Sequence, residues 1–227
     1  MYRQPDTVAS RLETIRSLIP EGVQLVAVSK FHPVSAIKEA YDAGQRRFGE
    51  SRVQELCEKI PQLPRDIEWH FIGHLQTNKV KQLVGKTSLI ESVDSARLLK
   101  MIDEESRKKD IVAKVLLQVH VAAEETKFGF TPSEIIDFFS SKAYEALSNT
   151  HISGLMAMAS NTDDEDRIKK DFRKVAELFN KIKTSISPEL RDFDTLSMGM
   201  SGDWPLAVAE GADMIRIGSA IFGERVY

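Results

Sequence analysis

Val23-Gln24-Leu25-Val26-Ala27-Val28-Ser29-Lys30 is a near-continuous apolar run that ends in an amine. Strands buried on both faces read this way, and it is the parallel sheet whose strands are covered on both faces. Ligands of such folds gather beyond the carboxyl ends of the strands, so Lys30 stands where a catalytic or Schiff-base lysine would stand. Position alone leaves two readings open. The side chain reaches solvent along its aliphatic stem, or partial desolvation lowers its pKa toward the nucleophilic neutral amine.

Working outward, apolar or β-branched runs recur near 23–29, 47–49, 68–73, 88–93, 112–120, 151–158, 195–199 and 214–218. Between them, apolar residues spaced three and four apart predict helices over 35–43, 52–60, 78–84, 96–109, 133–147, 164–183 and 204–211, with one more over 7–19. Thr131-Pro132-Ser133-Glu134 sets an N-cap hydroxyl before a proline, and Gly44 and Gly211 follow helical runs as C-cap glycines. Strands alternating with helices imply a parallel sheet, because each parallel connection needs a crossover. Eight such units predict an α/β fold of the (β/α)8 TIM-type, a barrel of one domain over 1–227 with an additional N-terminal helix. An open doubly wound sheet would give the same local alternation.

Composition narrows the class. A chain of 227 residues, 42% hydrophobic and 29% charged, can bury the core of one large domain. Its 31 basic and 34 acidic residues nearly cancel, which argues against a nucleic-acid partner. The lone Cys57 forms no intrachain disulfide and suits a reducing compartment, so a cytoplasmic protein is expected. Residues 1–20 lack the apolar core of a signal peptide, and no stretch approaches the ~20 apolar residues of a membrane span. The polar run Ser160-Asn161-Thr162-Asp163-Asp164-Glu165-Asp166 reads as a solvated acidic helix start, since it lacks the glycine and terminal glutamate of a calcium loop.

Two glycine-bearing segments fall in the loops where such barrels bind phosphate, after strands seven and eight. They are Ser197-Met198-Gly199-Met200-Ser201-Gly202-Asp203 and Ile215-Arg216-Ile217-Gly218-Ser219. Glycine lets backbone N–H groups approach an anion, and serine adds hydroxyl donors. On a strand Met214, Arg216 and Gly218 share a face, so Arg216 points into the barrel just below the mouth. There it needs an ion-pair partner, or it meets a ligand's ring nitrogen or anion. A lysine, an arginine and a phosphate cradle around one mouth suggest a phosphorylated aldehyde held as an imine, namely pyridoxal 5'-phosphate (PLP). The same residues describe a class I aldolase holding a sugar phosphate.

Seven blocks in order add a resemblance: Val28-Ser29-Lys30; Phe48-Gly49-Glu50 with Val53-Gln54-Glu55; Trp69-His70-Phe71-Ile72-Gly73-His74-Leu75-Gln76-Thr77-Asn78-Lys79; Ser92-Val93-Asp94; Gly154-Leu155-Met156; Leu196-Ser197-Met198-Gly199-Met200-Ser201; and Arg216-Ile217-Gly218-Ser219-Ala220-Ile221-Phe222-Gly223. Together they resemble the pyridoxal phosphate homeostasis protein family. The resemblance implies a barrel like that of alanine racemase without its β domain, with PLP carried as an imine on Lys30. It implies Arg216 near the pyridine nitrogen, and Ser201, Gly218 and Ser219 on the phosphate. Family members often carry Asn where this chain has Ser51, so the contact from that position to the cofactor is altered here.

His70 and His74, four apart, would share one face of a single strand, but no carboxylate or cysteine is placed by sequence to complete a metal site. They read as structural residues or supports near the cofactor, with His70 counted among the cofactor-binding residues, and Met156 as barrel packing that also lines the pocket. The tyrosines, Tyr2, Tyr41, Tyr144 and Tyr227, are not placed by motif at the mouth. Racemisation needs an acid and a base on opposite faces, and an arginine at the pyridine nitrogen weakens the ring as an electron sink. The expectation is therefore a binder serving intracellular PLP and vitamin B6 homeostasis by storage, buffering or delivery, without substantial turnover. Its partners would be PLP, other B6 vitamers or amino acids, and PLP-accepting apo-enzymes, and its state a monomer. The alternative is a single-domain PLP-dependent amino-acid racemase or lyase.

Overall fold

A computed structural model describes residues 7–122 and 128–223. The strands are β1 (Gln24–Val28), β2 (Arg47–Glu50), β3 (Glu68–Phe71), β4 (Leu89–Val93), β5 (Ala113–Val119), β6 (Thr150–Ala157), β7 (Thr195–Ser197) and β8 (Met214–Ile217). They pair in parallel and in chain order, and β8 returns to β1 through a register running from Gln24↔Met214 to Ala27↔Ile217. The sheet is a closed barrel, which excludes the open alternative. Around it lie α1 (Val8–Leu18), α2 (Val34–Asp42), α3 (Val53–Lys59), α4 (Val80–Leu83), α5 (Ala96–Lys108), α6 (Pro132–Ser140), α7 (Glu165–Lys181), α8 (Trp204–Ala209) and α9 (Ser219–Phe222).

Strand alternation divides the core in two. Phe48, Phe71, Leu117, Phe139 and Phe172 fill the layer between barrel and helices. Inside the barrel the apolar content is small: Val26, Leu89, Leu116, Met156 and Met214 form one cluster with Met158 packed against it. Buried polar side chains take up other interior positions, among them His70, Glu91, Ser197 and Arg216. A TIM barrel is ordinarily filled by branched apolar layers, so these polar positions mark where the interior serves something other than packing.

Helix starts follow the chemistry read from sequence. Thr131 Oγ1 accepts the Glu134 N–H at 3.2 Å while Glu134 Oε2 accepts the Thr131 N–H at 2.8 Å, a reciprocal cap of about 1 kcal/mol. Asp164 Oδ1 likewise accepts from the Asp166 and Arg167 N–H groups at the start of α7.

Three expectations change. The helix over 133–147 stops at Ser140, because Lys142 turns left-handed (φ 55°), and resumes as a 3₁₀ turn over Ala143–Ala146. The one over 78–84 is a 3₁₀ turn, Thr77–Lys79, running into the short α4. His70 and His74 do not share a strand face, since β3 ends at Phe71 and His74 lies in the following loop. Among the described residues no helix is long and apolar enough to cross a membrane.

Candidate functional site

Lys30 lies in the turn just past β1, half-buried. The register Val28↔Gly49 brings Lys30 level with Ser51, two residues beyond each strand partner. Both neighbours of Lys30 are fixed. Ser29 gives its N–H to the Gly49 carbonyl at 3.0 Å and its hydroxyl to Glu50 Oε1 at 2.6 Å. Phe31 adopts a left-handed backbone (φ 67°), which costs a β-carbon-bearing residue roughly 1–2 kcal/mol. Its N–H donates to Glu55 Oε1 at 2.6 Å, and the Arg52 guanidinium covers its ring at 4.7 Å.

Behind this turn, between the barrel and α3, Lys59 Nζ donates to the Ser29 carbonyl at 2.9 Å, Glu50 Oε1 at 2.8 Å and Glu55 Oε1 at 2.6 Å. These three acceptors match the three protons of an ammonium. Glu50 is fully buried, and among the described residues its Oε2 has no hydrogen-bond partner. Burial pushes the Glu50 carboxyl up from its ordinary range, against the pull of Lys59.

The neighbouring strand β8 carries Arg216, which points inward as the alternation predicts. It donates from Nη1 to Ser197 Oγ at 2.5 Å and from Nη2 to the Ala157 carbonyl at 2.8 Å, and stands 3.6 Å from Glu91 Oε2. Glu91 Oε2 also accepts the Ser197 hydroxyl at 2.6 Å, and its Oε1 lies 2.7 Å from His70 Nδ1, assigned here as the donor. Burial pushes Glu91 up, but the contacts from His70, Arg216 and Ser197 outweigh it and hold the carboxyl below its ordinary range. Burial lowers the Arg216 guanidinium and Glu91 opposes that. The ion pair expected of a buried arginine is therefore present.

The loops after β7 and β8 meet where the Gly218 N–H donates to Ser201 Oγ at 3.2 Å. Gly199 needs its glycine: its φ is 89°, and a β-carbon there would stand 2.7 Å from the Ala207 Cβ and 2.8 Å from the Trp204 Cα. The first N–H groups of α9, beginning at Ser219, have no partner within their own helix. A β-carbon on Gly218 would lie 3.1 Å from the Val28 carbonyl oxygen, so this cradle abuts the strand that carries Lys30.

The sequence-derived set thus divides by depth. Lys30, Ser51, Ser201, Gly218 and Ser219 are at the carboxyl ends of their strands, and Arg216 and Met156 lie below them in the interior. His70 sits deeper still: it lines a cavity of about 600 Å³ at the amino-terminal end and is linked to Arg216 through Glu91. The reading that no carboxylate is placed near the two histidines is corrected, because β4 supplies Glu91 to His70 and its following residue Asp94 to His74 at 2.8 Å. Among the described residues no group of three metal-ligating side chains forms. Tyr41 and Tyr144 bond to Asp66 and Glu189 on exposed surface, while Tyr2 and Tyr227 lie outside the described residues. Sequence reasoning missed Glu50, Lys59 and Glu91. The available signal for Glu91 was a carboxylate in the middle of the apolar run Leu89-Ile90-Glu91-Ser92-Val93.

Comparison with known proteins gives this geometry a family. The model of the alanine racemase N-terminal domain matches residues 4–226. A pyridoxal phosphate homeostasis protein of Schizosaccharomyces pombe is 37% identical over 228 residues, spanning 96% of this chain and 93% of the relative. This chain belongs to the pyridoxal phosphate homeostasis protein family. Another member, from Haemophilus influenzae, is 40% identical over 208 residues, covering 90% of this chain and 86% of the relative. The solved structure of PipY from Synechococcus elongatus PCC7942 is 38% identical and covers 96% of this chain and 100% of PipY. It superposes with a TM-score of 0.90 without PLP and 0.86 with PLP bound. Alanine racemase of Clostridium difficile, at 15% identity, shares the barrel with a TM-score of 0.76, and the match covers 57% of that enzyme's chain.

Proposed function

We propose that this protein binds PLP as an imine on Lys30 and serves PLP and vitamin B6 homeostasis by storing, buffering or delivering the cofactor, without substantial turnover. The observation that carries the reading is the convergence of a strand-end lysine, an interior arginine and a glycine-serine cradle on one barrel mouth. The family membership supports it, as does a 38% identical relative solved with PLP bound. The residues fit the group. Bound PLP supplies an aldehyde that a lysine amine condenses with, losing one water. Ser201, Gly218 and Ser219 would hold the phosphate, Arg216 would meet the pyridine nitrogen, and Ser51 and Met156 would line the ring, with His70 acting through Glu91. Exchange with other B6 vitamers and amino acids, hand-over to apo-enzymes, a cytoplasmic site of action and a monomeric state complete the proposal.

The Arg216 environment supports the reading of low turnover. A guanidinium paired with Glu91 and Ser197 stays protonated and donates, so it discourages a proton on the pyridine nitrogen and weakens the ring as an electron sink. The test is the near-visible spectrum of wild type and Lys30→Ala after incubation with PLP and desalting, followed by borohydride trapping and peptide mapping. Label on the Lys30 peptide, absent from the variant, is the expected result; label spread over surface lysines counts against the site. Sustained Lys30-dependent racemisation or decarboxylation across an amino-acid panel would favour the racemase or lyase alternative.

A further inference from the structure

We infer that Lys59, Glu55 and Glu50 are positioning residues for Lys30, forming an ion cluster behind the barrel wall that clamps the backbone on both sides of the reactive lysine. The inference rests on the functional reading above and adds the device that aims its amine. None of the three belongs to the set drawn from the mouth, and the cluster lies on the helix side of the sheet. Phe48 and Glu50 alternate onto one face of β2, and Phe48 packs in the layer between barrel and helices.

The clamp has two arms joined at one ammonium. On the amino-terminal side, Lys59 holds the Ser29 carbonyl at 2.9 Å and Glu50 holds the Ser29 hydroxyl at 2.6 Å. On the carboxyl-terminal side, Glu55 Oε1 accepts the Phe31 N–H at 2.6 Å while also accepting from Lys59 at 2.6 Å. The left-handed turn at Phe31 is strained, and such backbone persists where its surroundings over-determine it. Here Glu55 and Arg52, both brought by the start of α3, supply that constraint. Lys30 is therefore carried on a turn with little backbone freedom, and its amine approaches an aldehyde from one direction.

Packing alone would not call for this chemistry. A buried ion pair contributes less to stability than apolar residues of the same volume, so its retention beside the reactive turn points to geometry. Condensation joins Lys30 Nζ to the aldehyde carbon with loss of water, and its rate depends on the approach of nitrogen to carbon. Non-covalent binding of the phosphate would depend on the β7 and β8 loops, none of whose residues belongs to the cluster.

Two ligands separate these contributions. Pyridoxine 5'-phosphate has the ring and phosphate but an alcohol in place of the aldehyde, so its affinity reports the cradle alone. PLP reports the cradle and the imine. The variants are Glu55→Gln, which keeps shape and removes the charge, and the pair Glu50→Gln with Lys59→Met, which removes one charge of each sign and leaves the partly exposed Glu55 on the Phe31 N–H. Expected are imine formation at least about tenfold slower by stopped-flow absorbance and a shifted pH profile of the imine band, with pyridoxine 5'-phosphate affinity within about twofold of wild type. Thermal unfolding of each variant reports folding independently. Parallel loss of both ligands would assign the cluster to the fold and overturn the inference, as would imine kinetics matching wild type. A wild type that forms no imine on Lys30 would overturn the functional reading itself.

Discussion

Two buried ion clusters flank the same barrel mouth, and they are built on opposite principles. The inner one is centred on Arg216, with both oxygens of Glu91 occupied, by His70 on one side and by Ser197 and Arg216 on the other. The outer one is centred on Lys59, whose three donors are all used while Glu50 Oε2 goes without a partner. Their carboxylates accordingly move in opposite directions: Glu91 below its ordinary range, Glu50 above it. Burial penalises both and each accepts two side-chain hydrogen bonds, so neighbouring charge decides: the Arg216 guanidinium adds to the pull on Glu91, while the Glu55 carboxylate opposes the pull of Lys59 on Glu50. The inner cluster is saturated and makes a rigid wall of the barrel interior. The outer one is saturated only on the cation, so its task is to hold the carbonyl and hydroxyl of a turn.

The comparison is broken most directly at Glu91. Replacing it with leucine leaves the Arg216 guanidinium buried without its carboxylate, and stability should fall by about 3–5 kcal/mol in urea unfolding. A loss under about 1 kcal/mol would mean that the interior relaxes around the arginine and that the inner cluster is not the rigid wall described.

How much of this was legible in the sequence follows from where each cluster's partners sit. The eightfold alternation is local, so the closed barrel, the strand-end Lys30 and the inward Arg216 could be read from runs of a few residues. Even the need of Arg216 for a partner was readable, because burial makes it obligatory. Its identity was not, since Glu91 is four strands away and only closure of the barrel brings β4 opposite β8. Lys59 was hidden for a different reason. On α3 a lysine four residues after Glu55 reads as an exposed i,i+4 pair, and only the packing of α3 on β2 turns it inward to Glu50. The two histidines misled through strand length: the shared face of His70 and His74 assumed a strand that ends at Phe71.

A second prediction sharpens the outer cluster. Lys59→Met alone should cost about 2–3 kcal/mol, less than Glu91→Leu, because burial already raises the Glu50 carboxyl, which eases its neutralisation, and Glu55 reaches solvent. Adding Glu50→Gln should restore most of that loss, and a double-mutant cycle measures the coupling. Additive losses would show that the two side chains act separately.

Acid titration sets the clusters against each other. Glu91 has a folded pKa below its unfolded one, so its stability is present above the ordinary carboxylate range and is lost as pH falls through the folded value. Glu50 is raised, so its charge costs stability as pH climbs from the ordinary range to the folded value. Glu91→Gln should therefore flatten the acid limb of the stability curve, and Glu50→Gln should steepen it, when unfolding is followed from pH 3 to 7. Both substitutions changing the slope in the same sense would erase the distinction.

Asp213 supplies the smallest effect and the control, because it is a carboxylate outside both clusters. Among the described residues its oxygens accept only the Leu196 N–H, at 2.9 and 3.0 Å, where β7 begins beside β8. Burial raises it to about 6, with nearby Asp194 adding to the shift and Lys183 opposing it. Between its unfolded range and about 6 the folded state holds more protons than the unfolded chain, so stability falls as pH rises through that window and levels above it. Asp213→Asn keeps an acceptor for Leu196 and does not titrate. The stability of wild type relative to this variant should decline from pH 4 to pH 6, then stay constant. Because solvent reaches the carboxyl, the total change should stay under about 1 kcal/mol. A difference that grows with pH would place an unrecognised cation beside Asp213, and the rule drawn from the two clusters, that neighbouring charge decides the direction once burial is common to both, would lose its reference.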